Sequence, residues 1–113
     1  MAVTIVDPYC GNLHSLRKAF EYLGETVSIT DNPKAVDTAD RIVLPGVGSF
    51  PTAIHMLEKR NLDEAIWTAS MNGTPILGIC LGAQLLCGES TEGGRDTPGI
   101  DIIPADVLLI KKG

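Results

Sequence analysis

Apolar positions along the chain follow two alternating rhythms. Residues 3–6 form a short apolar run with β-branched character, the mark of a buried strand. Over residues 12–23, Leu13, Leu16, Ala19, Phe20 and Leu23 recur at helical spacing, with Arg17, Lys18 and Glu21 on the opposite side. Gly24 then stands where a helix C-cap glycine belongs. Residues 26–30 are a second β-branched run, ended by the turn signal Asp31-Asn32-Pro33. Residues 41–44 predict a third strand, stopped by Pro45-Gly46-Val47-Gly48, and Pro51 opens a helix at a position that tolerates proline. Ile54, Leu57, Leu62, Ala65, Ile66 and Ala69 supply apolar faces for one or two helices reaching Gly73. Residues 75–79 predict a fourth strand, 81–87 a helix on its end, and 107–110 a fifth strand. Residues 89–98, rich in Gly, Thr and acid, predict a surface loop.

Strands and helices in alternation, with the strands apolar on both faces, predict an α/β fold: a doubly wound parallel sheet with helices on both faces. Its crossovers are expected to be right-handed. The 113 residues suit a single domain, and the sequence stops three residues after its last predicted strand, so the expectation is one domain over 1–113, incomplete at its C-terminus. A composition of 44% hydrophobic and 20% charged residues argues against a disordered tail. Every apolar run is interrupted well short of the ~20 residues a bilayer demands, so no membrane partner is expected. Nine Lys+Arg against fourteen Asp+Glu give a net charge of −5 with no basic block, which disfavours nucleic acid. Residues 1–7 have no cationic start and read as a strand rather than a signal peptide. The three cysteines, Cys10, Cys80 and Cys87, are too few for a disulfide scaffold and point to a reducing cytoplasm.

The chemistry concentrates at Gly78-Ile79-Cys80-Leu81-Gly82. A cysteine at the end of a buried strand, with glycines at −2 and +2 and a helix following, matches a nucleophile elbow. The sharp turn strains the backbone, and only glycine lets neighbouring chain pack so closely on either side. The helix start at Leu81 offers free N–H groups toward the sulfur and is expected to stabilise a thiolate, the reactive form. Cysteine in apolar company is also a common small core residue, and Cys87, which lacks the glycine frame, reads as core or helix surface. Pro45-Gly46-Val47-Gly48 follows a strand directly, and its glycines allow an N–H to turn toward the neighbouring strand end. Acyl transfer needs such donors at the developing oxyanion; here they would be Gly48 and Leu81. An ordinary strand-to-helix turn would look the same.

Residues 44–50 (LPGVGSF) and 75–86 (PILGICLGAQLL) resemble the class I, triad-type glutamine amidotransferases. Among these, the resemblance is greater to glutaminase subunits of imidazole glycerol phosphate synthase, in histidine biosynthesis. Gly11-Asn12-Leu13-His14-Ser15, Asn61-Leu62-Asp63, Glu92-Gly93-Gly94, Thr97-Pro98-Gly99 and Ile103-Pro104 are similar to stretches of the same family, in the same order. The resemblance implies a flavodoxin-like sheet and a cysteine-dependent glutaminase. Cys80 would capture the glutamine carboxamide as a thioester and release ammonia. Gly48 and Leu81 would supply oxyanion-hole amides, the former after a backbone flip triggered by the partner. Gly46 would line the substrate pocket, Gln84 and Glu92 would hold the α-amino and carboxylate ends, and Asn12 would face the partner. That partner would be a (β/α)8-barrel cyclase subunit in a heterodimer; no cofactor and no metal is expected.

Two departures are Cys87-Gly88 after Gln84-Leu85-Leu86, and Pro8-Tyr9-Cys10 in the first loop. The family's general base, a histidine two residues before a glutamate, is not found in 1–113. His14, on the first helix, and His55, on a surface helix, are not expected to replace it. Residues 1–113 alone are therefore expected to hold a reactive Cys80 yet turn over little glutamine. Three alternatives stay open: a non-catalytic interaction module, a subunit serving a different synthase, and a small cysteine hydrolase of similar fold.

Overall fold

The computed structural model describes residues 2–8, 13–92 and 96–108. Strands β1 (Ala2–Val6), β2 (Thr26–Thr30), β3 (Ile42–Gly46) and β4 (Ile76–Cys80) form one parallel sheet in the order β2-β1-β3-β4. Helices α1 (His14–Tyr22), α2 (Pro33–Asp37), α3 (Phe50–Lys59) and α4 (Leu62–Met71) connect them, and a short α5 (Leu81–Leu85) follows β4 at once. The chain moves outward from β1 to β2 and then crosses back to β3, so the order reverses between β1 and β3. In open parallel sheets, ligands bind beyond the carboxyl ends of the strands near such a reversal.

The doubly wound expectation holds. On one face, Val3, Ile5, Val27 and Val43 cluster with Leu16 and Phe20 of α1. On the other, Val6, Ile42 and Leu44 cluster with residues of α2, α3, α4 and α5. This second layer carries the main core: Phe50, Leu57, Leu62, Ile66 and Leu85 are wholly buried, whereas α1 has no buried residue. Truncating any of those large side chains to alanine should cost about 2–5 kcal/mol.

Local sequence sets several boundaries. Gly24 (φ +87) and Gly73 (φ +86) end α1 and α4. At each, a pair of hydrogen bonds closes the last turn: Gly24 N to Glu21 O and Glu25 N to Phe20 O, then Gly73 N to Ser70 O and Thr74 N to Ala69 O. This double closure requires the left-handed backbone that glycine adopts without strain. Ser49 caps α3, its Oγ accepting from Thr52 N, with Pro51 in the first turn as expected. No helix among the described residues is long and apolar enough to cross a membrane.

Four expectations need correction. The turn at residues 31–33 leads into α2, with Asn32 Oδ1 accepting from Lys34 N; only Val36 of that helix is buried, too little apolar signal to read. The helix after Cys80 stops at Leu85 rather than 87. Its terminal carbonyls are taken by a distant segment: Ile100 N donates to Leu85 O, and Ile102 N and Ile103 N both donate to Leu86 O. Residues 89–98 are not simply a loop, because β5 (Cys87–Ser90) pairs antiparallel with β6 (Thr97–Pro98). The last strand, β7, spans Ile103–Val107 and pairs parallel with β5 in a separate sheet of order β6-β5-β7. The expected strand at residues 107–110 shares only Val107 with it, and residues 109–110 lie outside the described residues. The strands are also unequal in burial. β3 is buried throughout, but β4 is an edge strand, and Leu77 keeps 51% of its surface exposed.

Candidate active site

Cys80 is the last residue of β4 and the residue immediately before α5. Its backbone sits at φ +55, ψ −123, a region that costs a non-glycine residue about 1–3 kcal/mol. The thiol is exposed. The strain is held in place from both sides. A Cβ on Gly78 would lie 2.6 Å from Ala83 Cα and 2.8 Å from Ala83 N, so the strand passes against α5 where only a hydrogen fits. A Cβ on Gly82 would overlap the Leu44 carbonyl oxygen, so the start of α5 is pressed onto β3. These two contacts give the glycines at −2 and +2 their physical reason.

The Gly46 loop lies beside this turn. Gly46 is the register partner of Cys80 in the β3–β4 ladder. A Cβ on Gly46 would come within 3.2 Å of both Gly82 N and Leu81 Cβ, so the end of β3 abuts the first turn of α5. Gly48, two residues on, has φ +98 and open space where a side chain would project. Leu81 directs its side chain into the main core. Its N–H, in the first turn of α5, has no acceptor within the helix. The Leu81 amide thus directly follows Cys80, and Gly48 lies two residues beyond the register partner of Cys80.

Gln84 lies exposed on α5. Glu92, distant in sequence, reaches the same end of the sheet: its Oε1 accepts from the Phe50 amide at 3.1 Å, at the start of α3. Its own amide donates to Ser90 Oγ, also at 3.1 Å, and Ser90 is wholly buried. Asn12 and Cys10 lie outside the described residues. His14 opens α1 and His55 is exposed on α3. Sequence reasoning missed Phe50 and Ser90, whose contribution here is one backbone N–H and one hydroxyl; no residue pattern announces either. Gly99 was noticed only as part of a resemblance. A Cβ there would overlap the Cys87 carbonyl oxygen and approach Phe50 Cζ to 3.1 Å.

Cys87 differs in kind. Its Sγ donates to Ala83 O at 3.6 Å, and partial burial, followed by the charge of Asp106, pushes its thiol pKa up. The shift favours the protonated thiol, the opposite of what a nucleophile needs. Two cavities lie elsewhere. One of about 190 Å³ sits at the amino end of the sheet among Val3, Phe20, Val43, Ile76 and Leu77; another, of about 250 Å³, lies between α2 and α4. Neither is lined by Cys80.

Comparison with known proteins bears on the family and the fold. The chain is 44% identical over 111 residues to "Imidazole glycerol phosphate synthase subunit HisH" of Symbiobacterium thermophilum, covering 98% of this chain and 52% of the relative. It is 48% identical over 105 residues to the protein of the same name from Synechocystis sp., covering 93% of this chain and 49% of the relative. The chain thus spans about half the length of the curated relatives it matches. A solved glutamine amidotransferase superposes with a TM-score of 0.79 at 19% identity, over 94% of this chain and 55% of that one. A putative peptidase E protein from Listeria monocytogenes superposes at 0.72 with 18% identity, over 90% and 62%; likenesses this distant speak for the fold alone. A model of the CobB/CobQ-like glutamine amidotransferase domain matches residues 4–112, and with nearly the whole chain accounted for in this way, the chain belongs to that family.

Proposed function

We propose that this chain carries the nucleophile side of a glutaminase that supplies ammonia to an imidazole glycerol phosphate synthase. The observation that carries the reading is the strained, solvent-facing Cys80 at the tip of β4, wedged between two glycine contacts and bordered by Gly46. Strain of this kind persists only where surrounding structure over-determines it, and nothing in the packing calls for sulfur at an exposed position. The naming of relatives at 44–48% identity supports the choice of synthase.

The Cys80 thiolate attacks the side-chain carboxamide carbon of glutamine, forming a C–S bond and a tetrahedral oxyanion. Amides of Leu81 and Gly48 donate to that oxygen; one such donor is worth about 10²–10³ in rate. Collapse breaks the C–N bond and releases ammonia, the nitrogen having taken up the proton that left the thiol. Water then cleaves the thioester to glutamate and restores the thiol. Glu92 attracts the substrate ammonium, the Gln84 amide donates to its carboxylate, and Gly46 leaves room for the chain between. The proton carrier is the one part of the cycle to which no residue of 1–113 is assigned. Ammonia passes to a (β/α)8-barrel cyclase subunit, with the loop of Asn12 facing that partner. A reducing cytoplasm keeps the nucleophile as a free thiol.

The test is labelling with the diazoketone analogue of glutamine, followed by peptide mapping. Stoichiometric modification at Cys80, blocked by glutamine and lost in Cys80→Ser, is expected. Iodoacetamide capping of Cys80 without any reaction with the analogue would sink the reading in favour of a non-catalytic interaction module.

A further inference from the structure

Phe50 opens α3, so its N–H has no acceptor inside the helix. It donates instead to Glu92 Oε1 at 3.1 Å, joining positions 42 residues apart. Each end of this bond has a firm support. Glu92 is tethered through its own amide to the buried Ser90 hydroxyl at the end of β5. Phe50 is anchored by a ring wholly buried in the main core. Between Phe50 and the closely packed Gly46 run only Val47, Gly48 and Ser49, and Val47 and Gly48 are exposed. A Cβ on Gly48 would meet nothing within 4 Å, so no neighbouring chain crowds that side of the loop. The segment is short and held at both ends, by the packing of Gly46 on α5 and by the Phe50 hydrogen bond to Glu92.

We infer that Glu92 is a positioning residue for this loop: through the Phe50 N–H it sets the orientation of the 46–49 segment, and with it the aim of the Gly48 amide. A bond from a neutral N–H to a carboxylate is charge-assisted and stronger than one between neutral groups. The same carboxylate offers its charge to a substrate ammonium. The group that senses the amino end of the substrate is thus separated by two residues, Ser49 and Phe50, from the amide that receives its oxyanion. What the loop does chemically rests on the glutaminase reading; the tie itself does not.

Glu92→Gln and Glu92→Ala separate the two roles. The glutamine variant keeps an oxygen that accepts the Phe50 N–H but loses the charge, whereas alanine loses both. With the diazoketone analogue of glutamine on the full chain, Glu92→Gln is expected to label Cys80 at a saturated rate within about twofold of the parent, at a half-saturating concentration raised about tenfold. Glu92→Ala is expected to lose about tenfold in the saturated rate as well. Glu92→Asp, one methylene short of Phe50 but still charged, should fall with alanine in saturated rate. Hydrogen exchange without ligand supplies the second readout: the Phe50 amide should exchange at least about tenfold faster in Glu92→Ala and stay near the parent rate in Glu92→Gln, with the Val43 amide unchanged. Equal Phe50 exchange in the parent and in Glu92→Ala overturns the tie, and an equal saturated rate in the two variants overturns its control of the Gly48 amide. If the analogue labels no form at Cys80, the glutaminase reading falls, and the exchange data still decide whether the tie exists.

Discussion

Cys80 and Cys87 stand at either end of α5, seven positions apart, and share one side chain but almost nothing else. Cys80 ends a strand in a backbone conformation that resists it, with its thiol in solvent. Cys87 begins a strand whose ladder with β7 shifts register before Glu89, and it is half-buried with its thiol on the Ala83 carbonyl. Each also has a neighbouring glycine, and these differ in the same sense. Gly82 faces the Leu44 backbone, which cannot move, whereas Gly88 faces the Asp106 and Asp101 carboxylates, which can swing away. Reactivity at such a site comes from the backbone that presents the residue and from what immobilises that backbone.

The glycine pair offers the largest effect by which to break this comparison. Gly82→Ala forces a Cβ into a main-chain carbonyl and is expected to destabilise the chain by about 3 kcal/mol or more, read from urea unfolding. Gly88→Ala crowds only flexible side-chain ends, with the Ala105 carbonyl oxygen at an ordinary 3.5 Å contact, and should cost about 1 kcal/mol or less. Equal losses would remove the distinction between a rigid frame and a yielding one. The thiols themselves come next. At pH 7.5, iodoacetamide should cap Cys80 about tenfold or more faster than Cys87. Because the Cys87 pKa is raised, its thiolate grows in only as pH climbs above the ordinary thiol range, so its capping rate should still be rising there. A plateau for Cys87 near neutral pH would contradict its protonated state.

A smaller effect has the opposite sign. Cys80→Gly relieves the positive-φ strain at the expense of chain entropy and should stabilise by about 1 kcal/mol while abolishing analogue labelling. Cys87→Ala gives up packing and a weak hydrogen bond and should destabilise by about 1 kcal/mol with labelling intact. Matching signs in calorimetry would mean that the strain at Cys80 is not stored. The smallest effect lies at the far end of the sheet, where Arg41 forks onto Glu25 just ahead of β3 and β2. Hydrogen bonding to Arg41 lowers the Glu25 pKa below its ordinary value. The pair therefore adds stability above the usual carboxylate pKa, and that stability is lost as pH falls through the depressed value. Arg41→Gln should flatten this acid limb in melting experiments and leave Cys80 labelling untouched; a change in labelling would tie the two ends of the sheet together.

Much of the parallel sheet was legible because its signals are local. Val3 to Val6, the α1 stripe of Leu16 and Phe20, and the terminators Gly24 and Gly73 obey spacing rules that need no tertiary partner. The glycine frame of Cys80 was legible for the same reason, since strain at one residue must be relieved within two of it. The early stop of α5 was not legible, because Leu85 and Leu86 give their carbonyls to residues 100–103. Nor was the three-stranded sheet of β5, β6 and β7, whose strands are short and, Ser90 aside, half-buried or exposed, and so lack a periodic apolar signal. Spacing along the chain determined the alternating α/β layers and singled out one cysteine. Only folding decided that Glu92 would meet the Phe50 amide, since a bond between a side chain and a backbone N–H that are distant in sequence depends on how two separately anchored elements dock and leaves no trace in residue type.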